Sequence, residues 1–432
     1  MKVRWPWGIL VVMCGGVCAA GCAGPTDPAT LGPTPLPIAP PDQQAVQGAV
    51  DRGIEFLLDR QWRDGSWGSS DTKPVTILCP VPGGHRAFKT GTSMLCIMAL
   101  LAAEGDDPRI TAALDRAEQW VAANLIKVRR DSIPTLYNNW AHAYAIHALL
   151  GLARRPGLTD QRREVLAELT RLQIHLLSRY QSITGGWGYY NYNRRVSTPP
   201  NIVATSFMTA TVMIALHEAQ QAGYDVPKAT TKLGMMALRY ARNPNGTFDY
   251  HMYIGHKETT HKLSKPAGSL ARSQACNAAM YLWGDPRTTQ AVIRTWLKRL
   301  YARNGWLSMA RKTYMPHASH YAIAGYFYYY GHYYAAVCMD LLPAQERAYH
   351  QDFLAHLLLD KQEKDGSWWD FINYQYHQEY GTAFAVLTLQ RCLRPDPAKP
   401  GNAQGAGAEV GPSPTIRPVD QEAPHGRQVT KT

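Results

Sequence analysis

The chain has 432 residues, with 45 Lys plus Arg against 33 Asp plus Glu and a formal net charge of +12 at pH 7. With 45% hydrophobic and 18% charged residues it is too apolar for an intrinsically disordered protein, and it is long enough to bury a large core. The basic balance favours anionic partners, but no nucleic-acid motif accompanies it, so nucleic acid is not an expected partner.

The chain opens with Lys2 and Arg4, an apolar stretch over 9–17, and small residues leading to Cys22. This pattern reads as a bacterial export signal, and the stretch is too short for a membrane span. Ala19-Ala20-Gly21-Cys22 resembles a lipobox, which implies lipidation of Cys22 and membrane attachment through that lipid. Alanine stands where the lipobox leucine is usual, so plain cleavage nearby is the alternative. Ala23 lacks the Asp that retains many lipoproteins at the inner membrane. The expectation is an exported, cell-envelope protein with a mild preference for the outer membrane.

Residues 25–41 are rich in proline and read as an extended tether, and residues beyond 395 read as a disordered tail. The expected organisation is a signal over 1–22, a tether over 23–42, one folded domain over 43–394 and a tail over 395–432. Of the eight cysteines, Cys14, Cys18 and Cys22 belong to the signal. Cys96, Cys276, Cys338 and Cys392 lie in apolar helical runs, where a free thiol acts as a small core residue, and Cys79 lies in a loop.

Between tether and tail, two kinds of helix alternate. Apolar spacing of three and four with one charged face marks outer helices at 44–60, 109–127, 159–180, 227–242, 286–303 and 345–362. Stretches with little charge on any face mark inner helices at 90–104, 138–153, 202–222, 267–283, 320–341 and 379–393. Six outer–inner hairpins with almost no strand signal predict an all-α fold, an (α/α)6 toroid.

A repeated phrase punctuates the hairpins. Gln61-Trp62-Arg63-Asp64-Gly65-Ser66-Trp67-Gly68 near the start is matched by Gln362-Glu363-Lys364-Asp365-Gly366-Ser367-Trp368-Trp369 near the end. Gly185-Gly186-Trp187-Gly188-Tyr189 is a degenerate copy, and Asn245-Gly246-Thr247-Phe248 and Asn304-Gly305-Trp306-Leu307 take the same place in later repeats. Asp-Gly supplies a tight turn tolerant of positive φ, the Trp packs over the joint, and the Gln can bond the turn backbone. These turns resemble the QW-type repeats of squalene–hopene cyclases and their relatives, the protein prenyltransferase β subunits. Gly91-Thr92-Ser93 and Gly381-Thr382-Ala383 resemble inner-helix starts of the same superfamily. The resemblance implies the toroid, but the activities do not transfer. The acidic Asp-x-Asp-Asp motif of the cyclases is missing, Asp106-Asp107-Pro108 reading as a helix start. The Asp-x-Cys zinc arrangement is missing too, because Gln274-Ala275 precedes Cys276.

What remains on the inner elements is aromatic, basic and amide-rich. Tyr326, Tyr330 and His320 share one face by helical spacing and are candidate catalytic residues. Asn139, His142, Arg272, Arg195 and Tyr329 are candidate substrate-binding residues. A helix this dense in tyrosine either turns some hydroxyls into a wet cavity or sends them to partners in the loops. His251, His256 and His261 are spaced too widely for a helical metal pair and lie beside Lys257 and Lys262, so no metal site and no cofactor is expected. Two readings follow. One is an envelope-anchored toroid that binds an anionic glycan, an isoprenoid or a protein without squalene-cyclising activity. The other is an enzyme using the Tyr/His/Arg pocket, through lyase-like proton abstraction or through non-standard terpenoid cyclisation or prenyl transfer. Hydrolysis by paired carboxylates is disfavoured, because Glu379 is the lone acid at a near end of an inner helix.

Overall fold

The computed structural model describes residues 26–71, 83–103, 105, 107–128, 139–188, 203–253, 255–257, 261–315, 317–372 and 375–394. Cys22, Cys79 and Arg195 lie outside the described residues.

Six helix pairs follow one another. They are α1 (Gln43–Arg60) with α2 (Arg86–Ala102), α3 (Pro108–Asn124) with α4 (Trp140–Ala153), and α5 (Asp160–Arg179) with α6 (Ser206–Gln221). Then come α7 (Lys228–Ala241) with α8 (Pro266–Leu282), and α9 (Gln290–Ala302) followed by a short α10 (Asn304–Met309) and α11 (Tyr328–Asp340). The last pair is α12 (Ala344–Leu359) with α13 (His377–Cys392). The second members pack in the order α2, α4, α6, α8, α11, α13, and α13 returns to α2, so they form a closed inner ring. The first members form the outer layer. This is the (α/α)6 toroid expected from the sequence.

Burial follows the two kinds of sequence pattern. The charge-poor α4 and α8 are buried on nearly every side, whereas α1 and α5 bury one apolar face and leave the other to solvent. Cys96, Cys276, Cys338 and Cys392 are buried free thiols, as expected. The middle of the ring is filled with aromatics. Tyr144 lies 5.8 Å from Phe384, and Tyr330 lies 4.7 Å from Tyr334 and 6.1 Å from Phe384. None of the described helices is long and apolar enough to cross a membrane.

The repeated turns act as joints. Trp67, Trp187 and Trp368 are fully buried, and each indole N–H donates to a carbonyl near the end of the preceding outer helix. The acceptors are Leu57, Leu177 and Leu358, at 2.7, 2.8 and 2.9 Å. The backbone N–H of each Trp donates to a hydroxyl on the following inner helix, of Ser93, Thr209 or Thr382, at 3.0 Å in every case. Gln61, Gln181 and Gln362 donate to the carbonyls of Gly65, Gly185 and Gly366, and also to Ala113, Thr230 and Ala49 of the next outer helix. Since Ala49 belongs to α1, the last turn fastens the sixth pair to the first. Gly65 and Gly366 have φ of +93° and +86°, and a Cβ on either would strike a carbonyl of the adjoining outer helix.

Two expectations need correction. Asn304-Gly305-Trp306-Leu307 does not make a fifth joint, because the segment coils into α10 and leaves Trp306 41% exposed. Asn304 instead bonds Tyr328 and His332 of α11. Residues 31–42 run without helix or strand, and just before them Asp27 caps a single 3-10 turn, Pro28–Thr30. That turn buries Ala29 against Trp296, Leu270 and Val292. Arg299 and Thr295 of α9 bond the carbonyls of Leu31 and Thr30, so the start of the tether is strapped to the outer layer.

Candidate functional site

The inner helices run parallel, with Gly91 of α2 beside Ala141 of α4 and Gly331 of α11 beside Ala271 of α8. Their N-termini therefore share one end of the toroid. No inner helix receives a capping bond from its own N-cap side chain, whereas Asp42, Asp107, Thr159 and Thr289 cap four outer helices. The partial positive charge of helix N-termini is thus gathered at the end where loops and inner helices meet.

A β-hairpin shapes this end. His317–Ala318 (β3) pairs antiparallel with Ile323–Ala324 (β4), followed by a 3-10 turn at Gly325–Phe327 and only then by α11. The predicted helix over 320–341 thus begins at Tyr328, and helical spacing cannot relate His320 to Tyr326. His320 is exposed in the hairpin turn, its ring 5.1 Å from Tyr321, and His317 takes the place beside Tyr326. The chain turns because Ser319 and Ala322 adopt φ of +66° and +50°, and because Gly325 presses on the carbonyl of Ala310, where a Cβ would clash. Left-handed backbone at residues bearing a Cβ is uncommon and strained.

Tyr326 is half-buried between two partners. Its hydroxyl lies 2.7 Å from the Tyr250 hydroxyl and 3.4 Å from Nε2 of His317. Nδ1 of His317 faces the carbonyl of Ala322 at 3.3 Å. A carbonyl only accepts, so Nδ1 carries the proton and Nε2 presents its lone pair to Tyr326. Tyr326 then donates to His317, and Tyr250 donates to Tyr326. Burial lowers the His317 pKa below the ordinary imidazole range, and Arg272, His251 and His261 push in the same direction, against the Ala322 carbonyl. Phe371 stands 5.7 Å from Tyr326, and His251 lies 4.5 Å from Tyr250. Strand Ala204–Thr205 (β1) pairs with His251–Met252 (β2) and holds this loop against α6.

The other residues singled out by sequence are placed as follows. Tyr330 is fully buried, its hydroxyl 3.1 Å from Thr211 Oγ1 and donating to the Phe207 carbonyl, with Trp140 stacked on its ring at 5.9 Å. Tyr329 is fully buried and accepts from Arg311, while Tyr328 donates to Asn304. The tyrosine-rich helix therefore sends these hydroxyls to neighbouring elements. Arg272 is buried beneath the site. It donates to the carbonyls of Gly268, Phe248 and Leu263, and its guanidinium lies 5.1 Å from the centre of the Tyr250 ring. It supports the site with charge and does not reach its surface. His142 points outward to Gln173 of α5 at 2.6 Å, and burial lowers its pKa to about 4. The structure does not bring His142 to the site. Asn139 donates to the Gly188 carbonyl at 3.0 Å, and among the described residues its buried Oδ1, directly before Trp140, meets no hydrogen-bond partner.

Tyr250 and Asp370 escaped the sequence reading, although a signal was present. Each sits two places after the aromatic that closes its repeated turn, Phe248 or Trp368. Asp370 accepts from Tyr380 at 2.6 Å and from the Tyr329 N–H at 3.4 Å, and burial pushes its pKa up to about 6. Burial also raises the pKa of Glu379. Both acids are buried, so neither is a surface carboxylate available for hydrolysis. Among the described residues no three His, Cys, Asp or Glu side chains group as metal ligands.

No protein-family model matches the sequence, and no curated protein matches it. Solved structures do match. The unsaturated glucuronyl hydrolase of Streptococcus agalactiae is similar at a TM-score of 0.52 and 11% identity, over 83% of this chain and 94% of that one. An inactive variant of the α-1,6-mannanase of Salegentibacter sp., in complex with α-1,6-mannotetrose, is similar at 0.50 and 9% identity, over 81% and 98%. The type II terpene cyclase MstE of Scytonema gives 0.46 at 11% identity, over 82% and 99%. The first two place the chain among α/α toroids; identities this low show the fold and no activity.

Proposed function

We propose that this protein is an exported toroid, held at the cell envelope through Cys22, that binds an anionic glycan at the inner-helix N-terminal end. One observation carries the reading. Tyr250, His251, His317, Tyr326 and Phe371 converge there from three separate loops, pairing apolar ring faces with hydroxyl and imidazole tips. Concave sites for polar ligands combine such faces with a few placed polar groups. The charges acting on His317 come from Arg272, His251 and His261, all cations when charged, and helix N-termini add partial positive charge. An isoprenoid is less well served, because Tyr144, Tyr330, Tyr334 and Phe384 occupy the middle of the ring. The repeated Gln/Trp turns support kinship with the squalene–hopene cyclase and prenyltransferase toroids, without their acid or zinc motifs.

The test is affinity electrophoresis of the protein in gels containing polygalacturonate, alginate or neutral mannan. Salt-sensitive retardation by an acidic polymer is expected, weakened about tenfold by His251→Ala. Equal mobility in all gels overturns the reading. Release of Cys22→Ala protein from the membrane fraction would support the anchor.

A further inference from the structure

Resting on the Cys22 anchor of that reading, we infer that the outer wall around α7 is the face this protein lays against an anionic lipid bilayer, the one that holds its lipid.

Of the six described outer helices, α7 and its neighbour α9 alone contain no acidic residue. The exposed positions of α7 include Lys228, Lys232, Leu233, Met236, Arg239 and Tyr240, which fall within an arc of about 140° at 3.6 residues per turn. One edge of that arc is basic and the other apolar, with Leu233 45%, Met236 52% and Tyr240 42% exposed. The solvent face of α5, by contrast, mixes signs, and Arg171 there pairs with Glu164 at 2.9 Å. A helix face that is cationic along one side, apolar along the other and free of carboxylates matches a membrane interface, where rings and aliphatic chains enter the headgroup layer and cations meet phosphates.

The end of α7 beside α9 adds more cations. Arg239 and Arg287 share the buried carboxylate of Asp285 at 2.6 and 3.3 Å. Lys257 lies 5.3 Å from the centre of the Tyr240 ring and donates to the Arg242 carbonyl at 3.1 Å. Burial lowers the pKa of Arg242 and of Lys257, and Arg287 adds to the lowering in both, against Asp27 and Asp285 for Arg242 and Asp249 for Lys257. Asp249 and Asp285 are buried, so the charge this end turns to solvent is cationic. An anionic surface relieves that crowding.

The strap decides which wall the membrane can reach. Asp27 acts on Arg242, a Cβ on Gly246 would stand 3.1 Å from Ala29, and Arg299 of α9 holds the Leu31 carbonyl. Cys22 precedes Asp27 by five residues, a reach of at most about 18 Å for extended chain. A ring two helices deep is about 40 Å across, four helix diameters of about 10 Å, so a lipid on Cys22 cannot bring the far wall to the bilayer. A lipid chain and a basic, apolar patch act as two membrane signals that are each marginal alone.

The experiment labels lysines of the full-length lipidated protein with a membrane-impermeant acetylating reagent. The protein is held in vesicles of phosphatidylcholine with or without phosphatidylglycerol, and each site is read by mass spectrometry. Lys364, exposed in the joint that meets α1, is the reference. Lys228 and Lys232 should label about fivefold or more slowly than Lys364 in the anionic vesicles, and recover in high salt or in phosphatidylcholine alone. Lys232→Glu combined with Met236→Ser should restore labelling of Lys228 in the anionic vesicles. Equal labelling of all three lysines on vesicle-bound protein overturns the inference and leaves the anchor standing. Protection that persists after detergent extraction assigns the face to a second copy of the chain and overturns it as well. Full-length protein that does not stay with membranes removes the anchor and the inference together.

Discussion

The side-chain amide of Asn304 donates to Nε2 of His332 at 2.8 Å, while Nδ1 of His332 donates to the Tyr328 carbonyl at 2.7 Å. The ring is satisfied only when neutral. A second proton would set N–H against N–H, and burial already holds its pKa at about 4, as it does for His142. Both groups titrate near 6.5 when unfolded, so the unfolded chain binds more protons between the two values. Their stability contribution is complete above the unfolded value and falls away as the pH drops from about 6.5 toward 4. Asp370 works in the opposite sense, since its raised pKa favours the folded state on acidification through 6. His142, His332 and His350, all held near 4, with His217 and His317 also lowered, stand against the raised carboxyls of Asp340, Asp370 and Glu379, and acid lability is the expected result. Denaturant titration at pH 7 and pH 5 should show a loss of a few kcal/mol, reduced in His142→Gln. Equal stability at both pH values would contradict the neutral-histidine assignment.

The three Trp joints make a graded prediction. Trp67→Phe keeps most of the buried area but leaves the Leu57 carbonyl without its donor, so it should cost about 1–3 kcal/mol. Gly65→Ala meets both a positive φ and the Arg116 carbonyl and should cost more than a Gly→Ala change at Gly157, whose φ of +74° faces open space. Urea unfolding of the two alanine variants separates the effects. Equal losses would mean that the close approach to α3 carries no weight.

The strap at Ala29 can be released without touching the toroid. Ala29→Glu places a charge among Trp296, Leu270 and Val292 and should free residues 26–42 to proteases, while the helical core stays resistant. Limited proteolysis with mass spectrometry reads the cut sites. Unchanged resistance across 26–42 would show that the strap is held by the Arg299 and Thr295 contacts alone.

Ala322→Gly should relieve left-handed strain and change stability by about +0.5 to +1 kcal/mol, while loosening the carbonyl that orients His317. Thermal melts and retardation by an acidic polymer on the same variant should therefore move in opposite directions. A parallel rise in both would argue that the hairpin strain has no part in the site.

Much of this molecule was legible before any coordinates. Twelve helices were readable because charge survives only on faces that meet water, and the joints were readable because Asp-Gly, Trp and Gln each have one economical use in a tight turn. The site was only half legible. Tyr326 stands out within a tyrosine-rich run, but the run reads as one helix through the hairpin, which places His320 rather than His317 beside it. Arg272 and His142 have the side chains a ligand wants, and nothing local reveals that one supports the Tyr250 ring from beneath and the other faces α5. Helix identity and the repeated turns are decided by contacts within a few tens of residues, so the toroid is legible in local pattern. The meeting of Tyr250, His317 and Tyr326 depends on contact between two loops far apart in the chain and on the left-handed backbone at Ser319 and Ala322, packing that no local pattern encodes.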